Sequence, residues 1–233
     1  MMTSAMNLKN NNWKKILKWV AWGVAGILFI VFFVRVVTFE NSYFEEKHGS
    51  KRAIAIEDIE QSEELIEVEP TEEEVYEYVV PADYPRYLTI DELGVYGARI
   101  LTMRIKDDGS LDTPNNIFDV GWYEGSDKPG QGGTMLIDGH NGGPHVRGVF
   151  KRLPDLSIGA IIEVERGDGL VYYYQVVENE EISLDKANTY MPIAMRSPEK
   201  GKESLTLITC SGEWSDERKT YLSRQFVRAV LVE

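Results

Sequence analysis

The stretch that decides the fold reads S-L-T-L-I-T-C-S-G and occupies residues 204–212. Leucine, isoleucine and threonine dominate its first six positions, which is typical of a short buried β-strand. The run ends on Cys210, and Ser211-Gly212 then breaks it. The sequence therefore predicts that the chain's single cysteine lies where a rigid strand emerges into a loop, a suitable place for a nucleophile. A small core thiol explains the same residues equally well.

The segment T-L-I-T-C at residues 206–210 resembles the T-L-x-T-C signature of sortases, the cysteine transpeptidases that attach proteins to bacterial cell walls. Sortases also need a histidine well upstream and an arginine shortly downstream. The tripeptide G-H-N at residues 139–141 and an arginine at position 224 stand in matching order and spacing. The resemblance covers roughly residues 86–233. It implies that the catalytic residues are Cys210, His140 and Arg224.

Each of these residue types suits one step of acyl transfer. An imidazole can take the proton of a cysteine thiol or stabilise the thiolate, and it can then protonate the leaving amine. A fixed cation such as Arg224 can stabilise the oxyanion that forms at the attacked carbonyl. A loop histidine and a strand-edge arginine would be commonplace in isolation, and their agreement with T-L-I-T-C favours catalysis. Arg218 and Arg228 are the alternative arginines.

The resemblance also implies a peptide groove walled by the connection before the cysteine strand, residues 183–202. This connection is polar but carries an apolar patch between residues 187 and 195. We expect the substrate-binding residues to be Ile193, Ala194 and Met195, together with Thr209. A patch that only caps the end of the barrel explains the sequence nearly as well.

The N-terminus predicts a membrane anchor over residues 16–39. Its centre, Trp19–Val34, is uncharged and almost wholly apolar, and a helix over Ile16–Val37, about 22 residues, spans roughly 33 Å. Residues 1–39 carry five basic groups and no acidic ones. The positive-inside rule then predicts a cytoplasmic tail at residues 1–15 and an extracellular domain. A cleaved signal peptide is the competing interpretation, but no small-x-small site follows the apolar run.

Residues 40–85 read as an acidic extracellular linker. Between Ala53 and Pro85 the chain has twelve Asp or Glu residues and no Lys or Arg. The mutual repulsion of these acidic side chains, together with the small number of apolar residues, predicts disorder. A helix around Ile59–Val75, packed on the domain, is the alternative. A lid of the pilus-sortase kind is disfavoured, because this segment contains no Asp-Pro.

Residues 86–233 read as one mostly β domain. Many short strands without βαβ alternation favour a closed barrel or a sandwich, and the sortase resemblance implies an eight-stranded β-barrel with a few short helices. A short helix is expected at Val146–Leu153 and a polar connection at 183–202. The expected strands are Tyr87–Ile90, Ala98–Ile105, Val120–Tyr123, Thr134–Ile137, Ile161–Glu165, Leu170–Val177, Leu205–Thr209 and Gln225–Val232.

The function that the sequence predicts is a single-span sortase, resembling classes D, E and F more than pilus-building class C. Its implied partners are the sorting-motif peptide of secreted proteins and an amine of the cell wall, with no nucleic acid and no cofactor. A metal site from His140, His145 and Cys210 lacks the usual close ligand spacing. Two alternatives remain: an L,D-transpeptidase-like cell-wall enzyme, although T-C-S-G departs from its S-x-G-C-x-R pattern, and a non-enzymatic membrane-anchored β-barrel adaptor.

Overall fold

The structure, a computed structural model, describes residues 65–107 and 109–232. The predicted cytoplasmic tail, the membrane anchor and the first part of the acidic linker lie outside these ranges and stay predictions. Within residues 65–107 and 109–232, no helix is both long and apolar enough to cross a membrane.

Eight strands close into a barrel in the order β1-β2-β3-β4-β7-β8-β6-β5, which confirms the predicted fold class. The strands are β1 (Pro85–Ile90), β2 (Val95–Met103), β3 (Val120–Tyr123), β4 (Thr134–Gly139), β5 (Ile161–Arg166), β6 (Val171–Ser183), β7 (Ser204–Ser215) and β8 (Thr220–Leu231). The β2–β3 and β4–β7 pairs are parallel, and the other six are antiparallel. Every predicted strand overlaps an observed one.

Side chains alternate between the inside of the barrel and its outer face, as the pleat of a strand requires. In β4, Met135 and Ile137 belong to the core inside the barrel. Leu136 instead joins a second apolar cluster on the outer face, which includes Ile208 and Phe226. Strand β4 is buried along its whole length because both of its faces are covered. The outer face of β4, β7 and β8 therefore provides an apolar floor.

A helix, α2 (Leu184–Ala194), covers part of this floor, so the prediction of an irregular polar connection at residues 183–202 is wrong. Its buried residues recur at helical spacing: Leu184, Ala187, Met191 and Ala194. The last three belong to the outer cluster. Arg228 of β8 donates to the carbonyl of Ile193 at 3.2 Å and to that of Arg196 at 2.8 Å. These bonds satisfy carbonyls that a helix end leaves without intrahelical partners.

The helix expected at Val146–Leu153 is absent, and only a 3₁₀ turn, Leu153–Asp155, lies at its end. Residues 141–148 form a tight loop instead, closed by a bond from the N–H of Gly148 to the carbonyl of Asn141 at 3.0 Å. A Cβ at Gly148 would overlap the carbonyl of His140. Because the backbones of Gly148 and His140 approach each other so closely, this segment forms a loop and not the helix that its apolar pattern predicts.

The last part of the acidic linker is ordered, contrary to the expectation of disorder. We call residues 65–78 the N-terminal strap. It contains a five-residue helix, α1 (Glu72–Tyr76), whose N-terminus is closed by a reciprocal capping box between Thr71 and Glu74. The hydroxyl of Tyr78 donates to the carbonyl of Ile100 at 2.6 Å, and Arg86 donates to the carbonyl of Tyr78 at 2.8 Å. Local capping and these long-range bonds together offset the charge repulsion.

Candidate active site

Strand pairing and a hydrogen bond from the residue after His140 bring the backbones of the three predicted catalytic residues together. Cys210 of β7 and Arg224 of β8 are direct partners in the antiparallel ladder, so their side chains leave the sheet on the same face. On the other side, Asp138 of β4 is the parallel partner of Ile208. His140 follows the end of β4, and the next residue, Asn141, donates from Nδ2 to the carbonyl of Cys210 at 2.8 Å. We call His140, Cys210 and Arg224 the catalytic row.

Cys210 lies inside a strand and not at its end, which corrects the sequence prediction. Strand β7 continues to Ser215, although its register with β8 shifts between Ser211 and Trp214. Beyond the shift, Trp214 and Tyr221 pair across the hairpin with their rings edge to face at 5.3 Å. Cys210 is half-buried and packs against the outer apolar cluster. Cys210 is therefore fixed by its ladder pairing with β8.

His140 follows the last residue of β4 and is held by a backbone carbonyl. Its Nε2 lies 2.8 Å from the carbonyl oxygen of Pro114, in the L-D-T-P segment at residues 111–114. Burial lowers the pKa of His140, and the bond to Pro114 opposes this shift. The lowered pKa favours the uncharged imidazole, in which Nδ1 can accept a proton when Nε2 donates to Pro114.

Two further bonds tie β4 and the residues after it to the cysteine strand. The hydroxyl of Thr209 donates to the carbonyl of Gly139 at 2.7 Å, and Nδ2 of Asn141 donates to the carbonyl of Cys210 at 2.8 Å. Sequence reasoning missed the structural contribution of Asn141, although this residue stands in the G-H-N motif. Together these bonds hold the histidine and the cysteine at a fixed separation.

Arg224 is fully buried beside the nucleophile strand. Its Nη1 donates to the carbonyls of Tyr221 and Ser223, both at 3.0 Å, and its Nη2 donates to the hydroxyl of Thr220 at 3.2 Å. These bonds orient a permanent cation next to Cys210, where an oxyanion would develop.

The alternative arginines have other partners. Arg228 is buried and forms an ion pair with Glu178 of β6, in addition to its bonds to the end of α2. Arg218 is exposed and pairs with Asp185 of α2 at 2.8 Å. Only Arg224, among the three, is the ladder partner of Cys210. The geometry therefore favours Arg224 as the arginine of the site.

The sequence is matched over residues 88–232 by the family model of the sortase domain. The chain belongs to the sortase family. Among solved structures it is similar to sortase C1 of Streptococcus agalactiae in complex with MTSET, with 19% identity, a TM-score of 0.47 and coverage of 66% of this chain and 72% of that one.

Two further sortase structures match this chain with similar sequence identity and TM-score. Sortase A from Corynebacterium diphtheriae is 22% identical with a TM-score of 0.49, covering 66% of this chain and 63% of that one. The Clostridium perfringens sortase D5 transpeptidase is 20% identical with a TM-score of 0.45, covering 70% and 90%. No curated protein matches the chain. The family match removes the L,D-transpeptidase alternative, and the preference for a particular sortase class stays a prediction.

Within this sortase, the predicted substrate-binding residues differ in accessibility. Thr209 points into the barrel and Ala194, the last residue of α2, is fully buried, so neither side chain is exposed to a peptide in this conformation. Ile193 is 49% exposed and Met195 is half-buried. A groove of about 690 Å³ also opens beside Pro114, between the N-terminal strap and the segment 111–116.

One buried acidic residue near the catalytic row was not predicted from the sequence. Asp138 is the last residue but one of β4 and precedes His140 by two residues. The residue is 2% exposed, and within the described residues neither of its carboxyl oxygens has a hydrogen-bond partner. Burial raises the pKa of Asp138 well above its ordinary value, and the charge of Asp112 adds to the shift. Its signal in the sequence was a lone charge in an otherwise apolar strand.

Of the three residues considered for a metal site, His145 lies exposed in the 141–148 loop. Residues 65–107 and 109–232 contain no group of three acidic, histidine or cysteine side chains that could hold a metal ion.

Proposed function

We propose that this sortase is a membrane-anchored, extracellular enzyme that cleaves a Leu-Pro-x-Thr-Gly-like motif and transfers the acyl group to an amine of the cell wall. The observation that supports this proposal is the pairing of Cys210 with Arg224 across β7 and β8, with His140 at the end of β4 and its neighbour Asn141 bonded to the Cys210 carbonyl. The family match supports transpeptidation in general. The sorting motif follows from the resemblance to other sortases.

In the first half-reaction, His140 Nδ1 takes the proton of the Cys210 thiol, and the sulfur attacks the carbonyl carbon of the threonine. The carbonyl π electrons move to oxygen, and the Arg224 guanidinium stabilises that oxyanion. When the intermediate collapses, the threonine–glycine C–N bond breaks and the leaving amine takes the proton from His140. The product is a thioester on Cys210.

In the second half-reaction, the acceptor amine attacks the thioester carbonyl, and His140 takes a proton from the attacking nitrogen. Collapse of this intermediate breaks the C–S bond, and His140 returns the proton to sulfur. The acyl group is now joined to the acceptor by an amide bond, and this product leaves the enzyme. Because the proton has returned to the Cys210 sulfur, the enzyme gains or loses no net proton.

Mass spectrometry of the intact protein tests the nucleophile. Incubation with a Leu-Pro-Glu-Thr-Gly peptide should add the mass of the acyl fragment, and hydroxylamine should remove it. Cys210→Ala should show neither adduct nor turnover. A non-enzymatic adaptor would show slow alkylation by iodoacetamide that His140→Ala leaves unchanged, whereas an activated thiol should lose reactivity in that variant.

Protease accessibility tests the proposed topology. Protease added to spheroplasts should cut the acidic linker and release the domain, since the predicted anchor places it outside. A domain that is protected in intact spheroplasts and cut only after lysis would reverse the orientation.

A further inference from the structure

The N-terminal strap runs beside the carbonyl that holds the catalytic histidine. The N–H of Ile66 donates to the carbonyl of Asn115 at 2.9 Å, and the carbonyl of Ile66 accepts from the N–H of Ile117 at 3.1 Å. Pro114, directly before Asn115, is the acceptor for His140. One end of the strap is thus fixed by backbone pairing next to the residue that orients the imidazole.

Glu67, the next residue of the strap, binds the loop that follows His140. Its Oε1 accepts bonds from the backbone N–H groups of His145 at 2.9 Å and Val146 at 3.2 Å. Gly143 faces the same carboxylate so closely that a Cβ there would overlap Oε1. Charge-assisted bonds to two successive N–H groups are stronger than neutral ones and fix the loop in one orientation.

The loop that Glu67 binds is also hydrogen-bonded to the nucleophile. A bond from the N–H of Gly143 to the carbonyl of Val146 at 2.9 Å makes the 141–148 loop internally closed. Its first residue, Asn141, donates from Nδ2 to the carbonyl of Cys210 at 2.8 Å. The loop is therefore attached to His140 by the chain and to Cys210 by a hydrogen bond.

We propose that Glu67 is a positioning residue for transpeptidation, which holds the 141–148 loop and thereby sets the geometry between His140 and Cys210. This inference rests on the proposed function, because it assigns those two residues to proton transfer and attack. Glu67 itself touches no reacting atom. Since small displacements of catalytic groups lower a rate strongly, its loss should reduce kcat more than it changes KM.

Four variants of the full-length chain test this role. Glu67→Ala removes the acceptor, whereas Glu67→Gln keeps an oxygen that both N–H groups can reach. Gly143→Ala displaces the carboxylate while leaving Glu67 in the chain, because the overlapping atom is the end of a flexible side chain. Glu73→Ala is the matched control, since it removes the same charge from an exposed position of the strap.

The assays are turnover of a fluorogenic Leu-Pro-Glu-Thr-Gly peptide with triglycine, and the rate of Cys210 alkylation by iodoacetamide. We expect Glu67→Ala and Gly143→Ala each to lower kcat about tenfold or more, with KM changed less than about threefold. Both should slow alkylation at neutral pH. Glu67→Gln should recover most of the activity, and Glu73→Ala should match the unchanged chain.

The double variant Glu67→Ala/Gly143→Ala should be no worse than either single variant, because both remove the same contact. Additive losses, an unaffected Glu67→Ala, or a Glu67→Gln as impaired as Glu67→Ala would each overturn the proposal. If Glu67→Ala is unstable, Gly143→Ala and Glu67→Gln still decide the question. Turnover that persists in Cys210→Ala would instead refute the proposed function.

Discussion

Nε2 of His140 lies 2.8 Å from the carbonyl oxygen of Pro114. A carbonyl can only accept, so Nε2 carries the proton and Nδ1 presents its lone pair. We therefore expect the uncharged histidine to be the Nε2–H tautomer. Nitrogen-15 NMR of the labelled imidazole measures this directly, with the unprotonated nitrogen assigned to Nδ1. A spectrum dominated by Nδ1–H would contradict the proton path through Nδ1.

The pH dependence of turnover should reflect the buried state of His140. Burial lowers its pKa and the bond to Pro114 only opposes this, so the imidazole stays uncharged below the ordinary histidine pKa of about 6.5. A base must be uncharged to take the Cys210 proton. We expect the acidic limb of kcat/KM to have its midpoint below pH 6.5. A midpoint clearly above 6.5 would show that the charged form is favoured instead.

Asp138 should make the stability of the domain depend on pH. In the unfolded chain its carboxyl ionises above about pH 3.9, whereas burial keeps it protonated in the folded state to much higher pH. The folded state then binds more protons, so its stability falls as pH rises above 3.9 until the folded pKa is reached.

Asp138→Asn removes this titration. We expect the Tm of the variant, relative to that of the unchanged chain, to increase from pH 4 to pH 8. Thermal unfolding at several pH values measures it. The exposed Asp155→Asn serves as the control, and a difference that does not change with pH would show that Asp138 is ionised when folded.

The strands of the barrel could be predicted because the sequence patterns that indicate them are local. Alternating apolar residues such as those of β4 and β7 identify strands one at a time, and turn residues separate them. Helix α2 was missed although Leu184, Ala187 and Met191 recur at helical spacing. Pro192 lies inside the helix, and no side-chain cap marks its start at Ser183. Those features conceal a helix that is stabilised by packing on the barrel.

The rest of the site depends on pairings between distant parts of the chain. The motif indicated His140 as a base, but its bond to Pro114 joins residues 26 positions apart. The charge of the strap predicts disorder, whereas the structure pairs Ile66 with Asn116, 50 residues further along the chain. Such long-range partners leave no periodic pattern in the sequence, so they become visible only when the fold is known.

Arg224 should act mainly on kcat. If its guanidinium stabilises the oxyanion, Arg224→Gln should lower kcat by about 10²–10³, the usual cost of removing one oxyanion donor. Arg224→Lys should recover only part of this, because one ammonium cannot reproduce the planar fork that binds Tyr221, Ser223 and Thr220. Arg218→Gln, at an exposed arginine of the same hairpin, is the control. Equal losses in both variants would point to the hairpin's overall charge.

Ile193 offers the clearest test of where the sorting peptide binds. It is 49% exposed at the end of α2, while its neighbour Ala194 is buried, so Ile193 can be changed without disturbing the apolar cluster. If it packs on the apolar residue that begins the motif, Ile193→Ser should remove about 1 to 1.4 kcal/mol of apolar contact, which lowers kcat/KM about five- to tenfold.

Alkylation of Cys210 by iodoacetamide should stay unchanged in Ile193→Ser, because the catalytic row is not touched. Met195→Ser is less selective, since Met195 packs against the outer cluster and its loss also affects stability. Leu170→Ser is the matched control: Leu170 is 53% exposed, in the turn between β5 and β6. Peptide turnover that survives Ile193→Ser, or falls equally in Leu170→Ser, would show that the end of α2 is not a wall of the peptide groove.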